Sequence, residues 1–461
     1  LSMLHPSATL RASEAYLAFE LIYFNSKKFR RMSTQKFATK ALHAGHDVSQ
    51  NGGTRAVPIY QSTAYVFDDS DDAAGRFNLS VPGFIYTRLN NPTNDVLEQR
   101  IAALEGGIAA VATASGTAAI STTLLTLLKA GDHIVASSSL YGGTYNLLSV
   151  TLPRHGVTTT FVDPSNPENF EKAAQENTRA FFVESLGNPK LDVLDIEAIS
   201  KEAKAHKVPL IVDNTVATPY LLNPIDYGAN IVIHSLTKYI NGNGTSLGGI
   251  IVDAGTFDWT NGKFPEFTEP SAGYHGLIYS ETIGAAAFIA KVRIEGLRDY
   301  GGALSPFNAF QIIQGLETLE LRILKHSENA LELAKWLQEQ PEVTWVNYPG
   351  LETSNYRELA KKYLPNGQSG IVTFGVEGGY ESAKKVADTT KLFSLLANIG
   401  DTKSLIIHPA STTHQQLSDD AQETTGVTKD LIRLSVGIEN IDDLKADLKE
   451  AFVAVKQSVL S

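Results

Sequence analysis

The sequence predicts an α/β protein. Its large domain is a mostly parallel, seven-stranded sheet covered by helices, and a smaller α+β domain follows. Short apolar segments recur between residues 109 and 252 and alternate with segments of helical periodicity. Continuous apolar strands of this kind are buried on both faces, which is typical of parallel sheets. After about residue 300 the alternation ends, and the 461 residues are long enough for two or three domains.

The first 31 residues differ in composition from the rest and are predicted to be an extension outside the fold. We interpret Met32 as the natural start. A transit-type presequence, an upstream extension and a sequence added for expression are the three explanations. Glu14 and Glu20 argue against a transit peptide, because such peptides are poor in acidic residues.

Three further segments follow the extension. Residues 32–91 form a predicted arm, rich in Gly, Pro, Asp and aromatic residues and without lasting periodicity. An arm of this kind usually packs on something else, often another subunit. Residues 92–300 form the large domain, and residues 301–461 form the α+β domain.

The elements of both domains are predicted in chain order. The large domain begins with a helix at 92–104, which ends before Gly106-Gly107, and contains another at 196–206. Its seven strands are predicted at 109–114, 134–136, 159–162, 181–183, 210–212, 231–233 and 249–252. The smaller domain has a long helical stretch at 307–339, strands at 343–347, 370–376 and 405–407, and an amphipathic helix at 441–459.

Composition excludes several classes of function. The formal net charge of −11 argues against non-specific nucleic-acid binding, which needs a basic face. The absence of cysteine excludes disulfides, thiolate catalysis and cysteine metal sites. After Met32 the chain contains no sulfur, which is either chance or a feature of an enzyme made when sulfur is scarce. The uncharged span 108–128 is rich in Ser, Thr and Gly, so we expect a buried strand and helix rather than a membrane span. We expect the protein to be cytoplasmic.

Polar and small residues follow four of the predicted strands at the point where each strand ends. They are Ser115, Gly116 and Thr117, then Asn188, then Asp213, and finally Ser235, Thr237 and Lys238. Ligand sites in open α/β sheets lie outside the carboxyl ends of the strands. Each motif alone has a simpler explanation, since a serine before a helix is usually a cap and a lysine is usually exposed.

Pyridoxal phosphate is the cofactor that requires this combination. It needs a lysine amine for a Schiff base, an anion near the pyridine nitrogen, a phosphate cradle and a donor near the phenolic oxygen. Lys238, Asp213, the helix start at Ser115 and Asn188 are the candidates for these four tasks. Their joint occurrence at successive strand ends is hard to obtain by accident.

The chain resembles the Cys/Met-metabolism family of pyridoxal-phosphate enzymes, which have fold type I. The matching stretches are Tyr86-Thr87-Arg88 with Asn91-Pro92, Ala114–Thr117, Tyr141–Thr144, Glu184–Pro189, Val212–Thr215, Ser235–Lys238 and Arg433–Glu439. They extend over residues 37 to about 455, which is nearly the whole chain beyond the extension.

The resemblance implies a role for each matching residue. Lys238 would hold the cofactor and then move protons, and Asp213 would pair with the pyridine nitrogen. Tyr141 would stack on the ring and is our candidate for proton transfers near Cγ. Asn188 would lie near the phenolic oxygen, and Arg433 would bind the substrate α-carboxylate through its planar guanidinium.

The remaining implied contacts concern the cofactor phosphate. The resemblance assigns cofactor contacts to Ser115, Gly116, Thr117, Thr215, Ser235 and Thr237. The family usually has methionine where this chain has Thr117, but that contact is made by the backbone. Tyr86 and Arg88 would reach the phosphate of a neighbouring subunit, and Tyr86 would also contact substrate. A dimer would then be the smallest active unit, and we expect a tetramer built from dimers.

Within the family, the chain resembles the longer branch that acts on O-acetyl-L-homoserine. The similar stretches are Phe257–Trp259, Phe264–Phe267, Gly273–Gly276, Arg298-Asp299, Ser305–Phe307 and Gly315–Leu319. We therefore expect γ-replacement, a transferase reaction of EC 2.5.1 type in methionine biosynthesis and sulfur assimilation. It converts O-acetyl-L-homoserine and sulfide to L-homocysteine and acetate. Cystathionine γ-synthase or methionine γ-lyase activity is the alternative, although lyases carry a cysteine at the position of Gly143.

Two other enzyme classes fit less well. A nicotinamide oxidoreductase would show G-x-G-x-x-G after the first strand, and this chain does not. A metal hydrolase would need clustered ligands. His43 with His46 and His408 with His414 are the only close histidine pairs, so no metal site is expected.

Overall fold

The computed structural model describes residues 34–274, 276–413, 415, 422 and 426–459. The predicted extension of residues 1–31 and His414 lie outside these residues. The helices of the described part are α1 (Phe37–His43), α2 (Ser70–Phe77), α3 (Pro92–Glu105), α4 (Gly116–Leu127), α5 (Gly142–Asn146), α6 (Glu168–Ala173), α7 (Ile196–Ala205), α8 (Thr218–Leu221), α9 (Pro265–Thr268), α10 (Tyr279–Thr282), α11 (Ala287–Lys291), α12 (Arg298–Tyr300), α13 (Pro306–Leu316), α14 (Leu319–Gln338), α15 (Arg357–Tyr363), α16 (Gly379–Thr389) and α17 (Ile441–Val459).

Seven strands of the described residues form the large sheet. They are β1 (Ala109–Thr113), β2 (His133–Ser137), β3 (Thr158–Val162), β4 (Thr178–Glu184), β5 (Leu210–Asp213), β6 (Ile231–Ser235) and β7 (Gly249–Asp253). The order across the sheet is β1-β7-β6-β5-β4-β2-β3. Only β7 runs against its neighbours β1 and β6, so the prediction of a mostly parallel sheet is confirmed.

Both faces of this sheet are covered, as the continuous apolar strands predict. Along β4, Phe181 and Val183 belong to one buried cluster, while Ala180 and Phe182 belong to the cluster on the opposite face. Successive side chains of a strand point to opposite faces, so each face receives every second residue. Helices α3 and α7 contribute to the first cluster and α4 to the second. The carboxyl ends of β4, β5 and β6 therefore meet at one edge.

A second, five-stranded sheet follows in the described residues. Its strands are β8 (Val343–Asn347), β9 (Ile371–Val376), β10 (Ser394–Leu395), β11 (Leu405–Ile407) and β12 (Leu431–Ser435), in the order β10-β11-β12-β9-β8. Sequence analysis predicted β8, β9 and β11 but missed the two-residue β10 and the longer β12. Strand β12 lies between β11 and β9 and carries Arg433 into the interior.

The long helical stretch predicted at 307–339 is two helices, α13 and α14, separated at Glu317-Thr318. Gly315 lies so close to the Asn241 backbone that a Cβ there would come within 2.1 Å of the Asn241 carbonyl oxygen. The Arg322 guanidinium donates to the Gly315 carbonyl oxygen at 2.6 Å. A side chain of α14 thus donates to a carbonyl oxygen of α13 at the break between the two helices.

The predicted arm is more regular than its composition suggests. It contains α1 and α2, and the Asp69 side chain caps α2 by accepting from the backbone N–H groups of Asp71 and Asp72. Helix α1 packs on α3 and α14. The acidic run that interrupts any hydrophobic periodicity is therefore a helix start.

Candidate active site

The polar strand ends of the large sheet line one cavity of about 240 Å³. The predicted site residues on its wall are Ser115, Gly116, Thr117, Tyr141, Asn188, Asp213, Thr215, Ser235, Thr237, Lys238 and Arg433. Ten further residues that sequence analysis did not select as site residues join them: Ile120, Thr144, Glu184, Leu186, Val216, Leu247, Ala397, Asn398, Ile399 and Thr413. Every predicted site residue except Tyr86 and Arg88 is thus in one place.

Lys238 lies three residues after the end of β6 and lines this cavity. Its Nζ donates a hydrogen bond to Asn398 Oδ1 at 2.6 Å. Burial, together with the positive charge of Arg433, lowers the pKa of Lys238 to about 8. With this pKa, about one molecule in ten carries the free amine at pH 7, and a nucleophile or base requires that form.

Asp213 is the last residue of β5, and its carboxylate accepts two hydrogen bonds from Thr215. The backbone N–H of Thr215 donates to Asp213 Oδ1 at 3.0 Å, and the Thr215 hydroxyl donates to the same oxygen at 2.5 Å. Burial raises the pKa of Asp213, and the two Thr215 donors oppose this rise. The Thr215 hydroxyl in turn accepts from the backbone N–H of Ser235 at 2.8 Å, which ties the ends of β5 and β6 together.

The start of α4 forms an anion cradle beside Ser235. Ser115 caps the helix, because its hydroxyl accepts from the backbone N–H of Ala118 at 3.1 Å. The N–H groups of Gly116 and Thr117 lie at the positive end of this 12-residue helix, where an anion binds well. A Cβ on Gly116 would come within 2.7 Å of the Ser235 Cβ, so only glycine permits this approach.

Arg433 is buried at the far side of the cavity and has no acidic partner among the described residues. Its Nη1 donates to Asn188 Oδ1 and its Nη2 to the Asn398 carbonyl oxygen, both at 3.1 Å. Its Nε has no acceptor in the described part of the chain, and burial lowers its pKa to about 10. A buried guanidinium with an unused donor is suited to a ligand carboxylate.

Tyr141 precedes α5, with 55% of its surface exposed at the cavity. Its backbone N–H donates to Glu184 Oε1 at 2.6 Å. Glu184 ends β4, and burial, reinforced by the charge of Asp213, raises the pKa of Glu184 well above its usual range. Gly143 gives the ring its space, because a Cβ there would come within 2.5 Å of Tyr141 Cε1.

Tyr86 and Arg88 are not brought to this cavity. The Arg88 guanidinium lies over the Tyr86 ring at 5.4 Å and donates to the Arg298 carbonyl oxygen. Tyr86 is 41% exposed. Their predicted contact is with the site of another subunit, and it stays a prediction.

Asn398 is the most informative residue that sequence analysis missed. It lies in the irregular stretch between β10 and β11, where no periodicity marks it. Glu184 is the first residue of the family motif Glu184–Pro189, but its burial and its hydrogen bond to Tyr141 depend on tertiary structure. A polar side chain within the apolar run Leu395–Ile399 was the only available signal for Asn398.

The cavity fits pyridoxal phosphate on the observations of this structure. It has an amine of lowered pKa in Lys238, a carboxylate in Asp213 and a glycine cradle at a helix start. The unused donor of Arg433 leaves a place for a substrate carboxylate. These features define an α/β enzyme that depends on pyridoxal phosphate.

Comparison with known proteins identifies the family. The family model for Cys/Met metabolism PLP-dependent enzymes matches residues 38–453, and the chain belongs to this family. O-acetyl-L-homoserine sulfhydrylase of Leptospira meyeri is 58% identical over 422 residues, which cover 90% of this chain and 96% of that protein. Homocysteine synthase of Schizosaccharomyces pombe is 53% identical over 423 residues, covering 91% and 99%.

A solved structure is also similar to this chain. It is described as an O-acetylhomoserine (thiol)-lyase of Campylobacter jejuni containing N′-pyridoxyl-lysine-5′-monophosphate. The TM-score is 0.87 at 45% identity, over 90% of this chain and 99% of that one. The predicted fold, family and cofactor are confirmed by these findings.

The described residues contain neither a candidate metal site nor a candidate membrane span. No group of three or more potential metal ligands occurs among residues 34–274, 276–413 and the other described positions. Within the same residues, no helix has the length and apolar character needed to cross a membrane.

Proposed function

We propose that this enzyme replaces the γ-acetoxy group of O-acetyl-L-homoserine by sulfide, forming L-homocysteine and acetate. The observation that carries the proposal is the meeting of the Lys238 amine and the Arg433 guanidinium in one cavity. Such a pair binds an α-carboxylate and places a base near the α-carbon. The names of the relatives from Leptospira meyeri and Schizosaccharomyces pombe support this substrate and product.

Each residue has a task in this reaction. Pyridoxal phosphate, when bound, supplies an electron sink that stabilises negative charge developing next to the amino-bearing carbon. Arg433 binds the carboxylate, and Lys238 removes the α-proton and later returns one. The Asp213 carboxylate would stabilise the proton on the ring nitrogen. Tyr141, exposed at the cavity, assists proton transfers near Cγ, where acetate leaves and sulfide adds.

The test is a direct assay. Purified enzyme with O-acetyl-L-homoserine and sulfide should form homocysteine, and a control without sulfide should form little 2-oxobutyrate. Rapid 2-oxobutyrate release without sulfide would favour a lyase, and faster reaction with cysteine would favour cystathionine γ-synthase. O-succinylhomoserine, O-acetylserine and methanethiol in the same assay define the ester and the nucleophile.

The cofactor attachment has its own test. The purified protein should absorb at about 420 nm, as expected for pyridoxal phosphate held by a lysine. The Lys238→Ala variant should lose this band while keeping its fold by circular dichroism. A band that survives in the variant would remove Lys238 from this role.

We also propose that the active unit is at least a dimer and that dimers assemble into a tetramer. The arm supports this, because Tyr86 is exposed and Arg88 stays away from its own cavity. Sedimentation velocity at several concentrations measures the assembly directly.

A further inference from the structure

Asn398 contacts both functional cations of the cavity through two different groups. Its side-chain Oδ1 accepts from Lys238 Nζ at 2.6 Å, and its main-chain oxygen accepts from Arg433 Nη2 at 3.1 Å. Lys238 follows β6 of the large sheet, whereas Arg433 lies in β12 of the second sheet. One residue therefore fixes the relative position of groups that belong to different sheets.

The side-chain contact restricts a flexible group. Lysine has a long, rotatable side chain, and ordering it costs conformational free energy. Repulsion from Arg433 also disfavours an ammonium at this place, since Arg433 contributes to the lowered pKa of Lys238. In the described residues, Asn398 Oδ1 is the acceptor that holds the Lys238 amine.

An amide suits this position better than a carboxylate. An amide oxygen accepts from an ammonium without adding a negative charge. Aspartate would add a negative charge near Arg433 and so weaken its attraction for the carboxylate of a substrate. Asparagine thus holds Lys238 and leaves Arg433 available.

We propose that Asn398 is a positioning residue that holds the free Lys238 amine at a set distance from the carboxylate anchor Arg433. The proposal deepens the proposed function, on which its kinetic consequences rest. Its structural part concerns only the apoenzyme and its capture of pyridoxal phosphate.

The first experiment measures the rate at which apoenzyme captures pyridoxal phosphate as a function of pH. The wild-type rate should rise through about pH 8, as Lys238 loses its proton. Asn398→Ala removes an acceptor from the ammonium, so this limb should move to lower pH by about one unit. Asn398→Asp adds a negative charge, so the limb should move to higher pH.

Opposite shifts separate positioning from damage to the fold, because general damage would move both variants in the same direction. Asn169→Ala is the matched control: this asparagine donates to the Asp163 carbonyl oxygen at the surface, away from the cavity. Asn398→Ser, which restores an acceptor oxygen, should return the limb toward that of the wild type. Unshifted limbs in the Ala and Asp variants, or shifts of the same sign, would overturn the proposal.

The second experiment uses turnover of O-acetyl-L-homoserine. Asn398→Ala keeps the main-chain bond to Arg433, so KM should change less than about threefold, while kcat falls roughly 10- to 100-fold. A rise in KM with unchanged kcat would contradict the assigned role. If the wild type forms no homocysteine, the proposed function fails, but the capture assay still decides the role of Asn398.

Discussion

At the scale of single residues, Arg433 is a buried cation that lacks an acidic partner among the described residues. Replacing it by Met should raise KM for O-acetyl-L-homoserine roughly 10- to 100-fold, since a charge-assisted hydrogen bond to the carboxylate is lost. The loss of positive charge should also raise the pKa of Lys238 above about 8.

Two measurements check this prediction. Steady-state kinetics gives KM, and the pH dependence of pyridoxal phosphate capture by apoenzyme should move to higher pH. Arg179→Met serves as the control for removing one guanidinium, because Arg179 pairs with Asp132 away from the cavity. An unchanged KM would remove Arg433 from carboxylate binding.

Thr215 supports a second prediction at this scale. Its hydroxyl and N–H both donate to Asp213 Oδ1 and counteract the rise in the pKa of Asp213 that burial causes. Thr215→Val removes the hydroxyl donor, so the pKa of Asp213 should rise further. Because the cofactor needs ionised Asp213, pyridoxal phosphate affinity should then be lost at a higher pH as the solution is acidified.

Equilibrium binding of pyridoxal phosphate to apoenzyme between pH 5 and pH 8 measures this effect. Thr215→Ser keeps the hydroxyl and should retain the wild-type profile. If the Val and Ser variants lose the cofactor at the same pH, the hydroxyl does not support Asp213.

At the scale of elements, the start of α4 combines a cap with an anion cradle. Ser115→Ala leaves the N–H of Ala118 without its acceptor and should reduce the free energy of unfolding by about 1 kcal/mol. Ser115→Gly should cost only a few tenths of that loss, because glycine is tolerated at this position. Urea denaturation of the apoenzymes compares the two, and equal losses would argue against a cap.

Individual elements were predictable in proportion to how locally they are encoded. The seven strands of the large sheet appear where apolar segments predict them, because six of them are mostly buried between the two helical layers. The exception is the edge strand β3, which is only partly buried. Helix α3 ends at Glu105 with Gly106 in the left-handed region, as the Gly-Gly signal predicts. The break between α13 and α14 was not predictable, because it lies where Gly315 packs against the Asn241 backbone, which belongs to a distant part of the chain.

At the scale of the whole molecule, shared active sites make a specific prediction. If Arg88 of one subunit completes the site of another, Arg88→Ala and Lys238→Ala should each be inactive. Mixing the two after partial denaturation and refolding should restore activity, since some hybrid sites contain both wild-type residues. Each variant refolded alone is the control, and hybrids without activity would show that sites are not shared in this way.

The sequence by itself determined the order of the strands along the chain, the family and the polar residues at the strand ends. These features are local, because an apolar segment followed within five residues by Asp213 or Lys238 can be recognised in a short stretch of sequence. Tertiary structure decided which distant residues complete the cavity. Asn398 reaches Lys238 across 160 positions, and Arg433 reaches Asn188 across 245. Pairing of β12 between β9 and β11 sets these contacts, and no short stretch of sequence encodes a pairing between such distant segments.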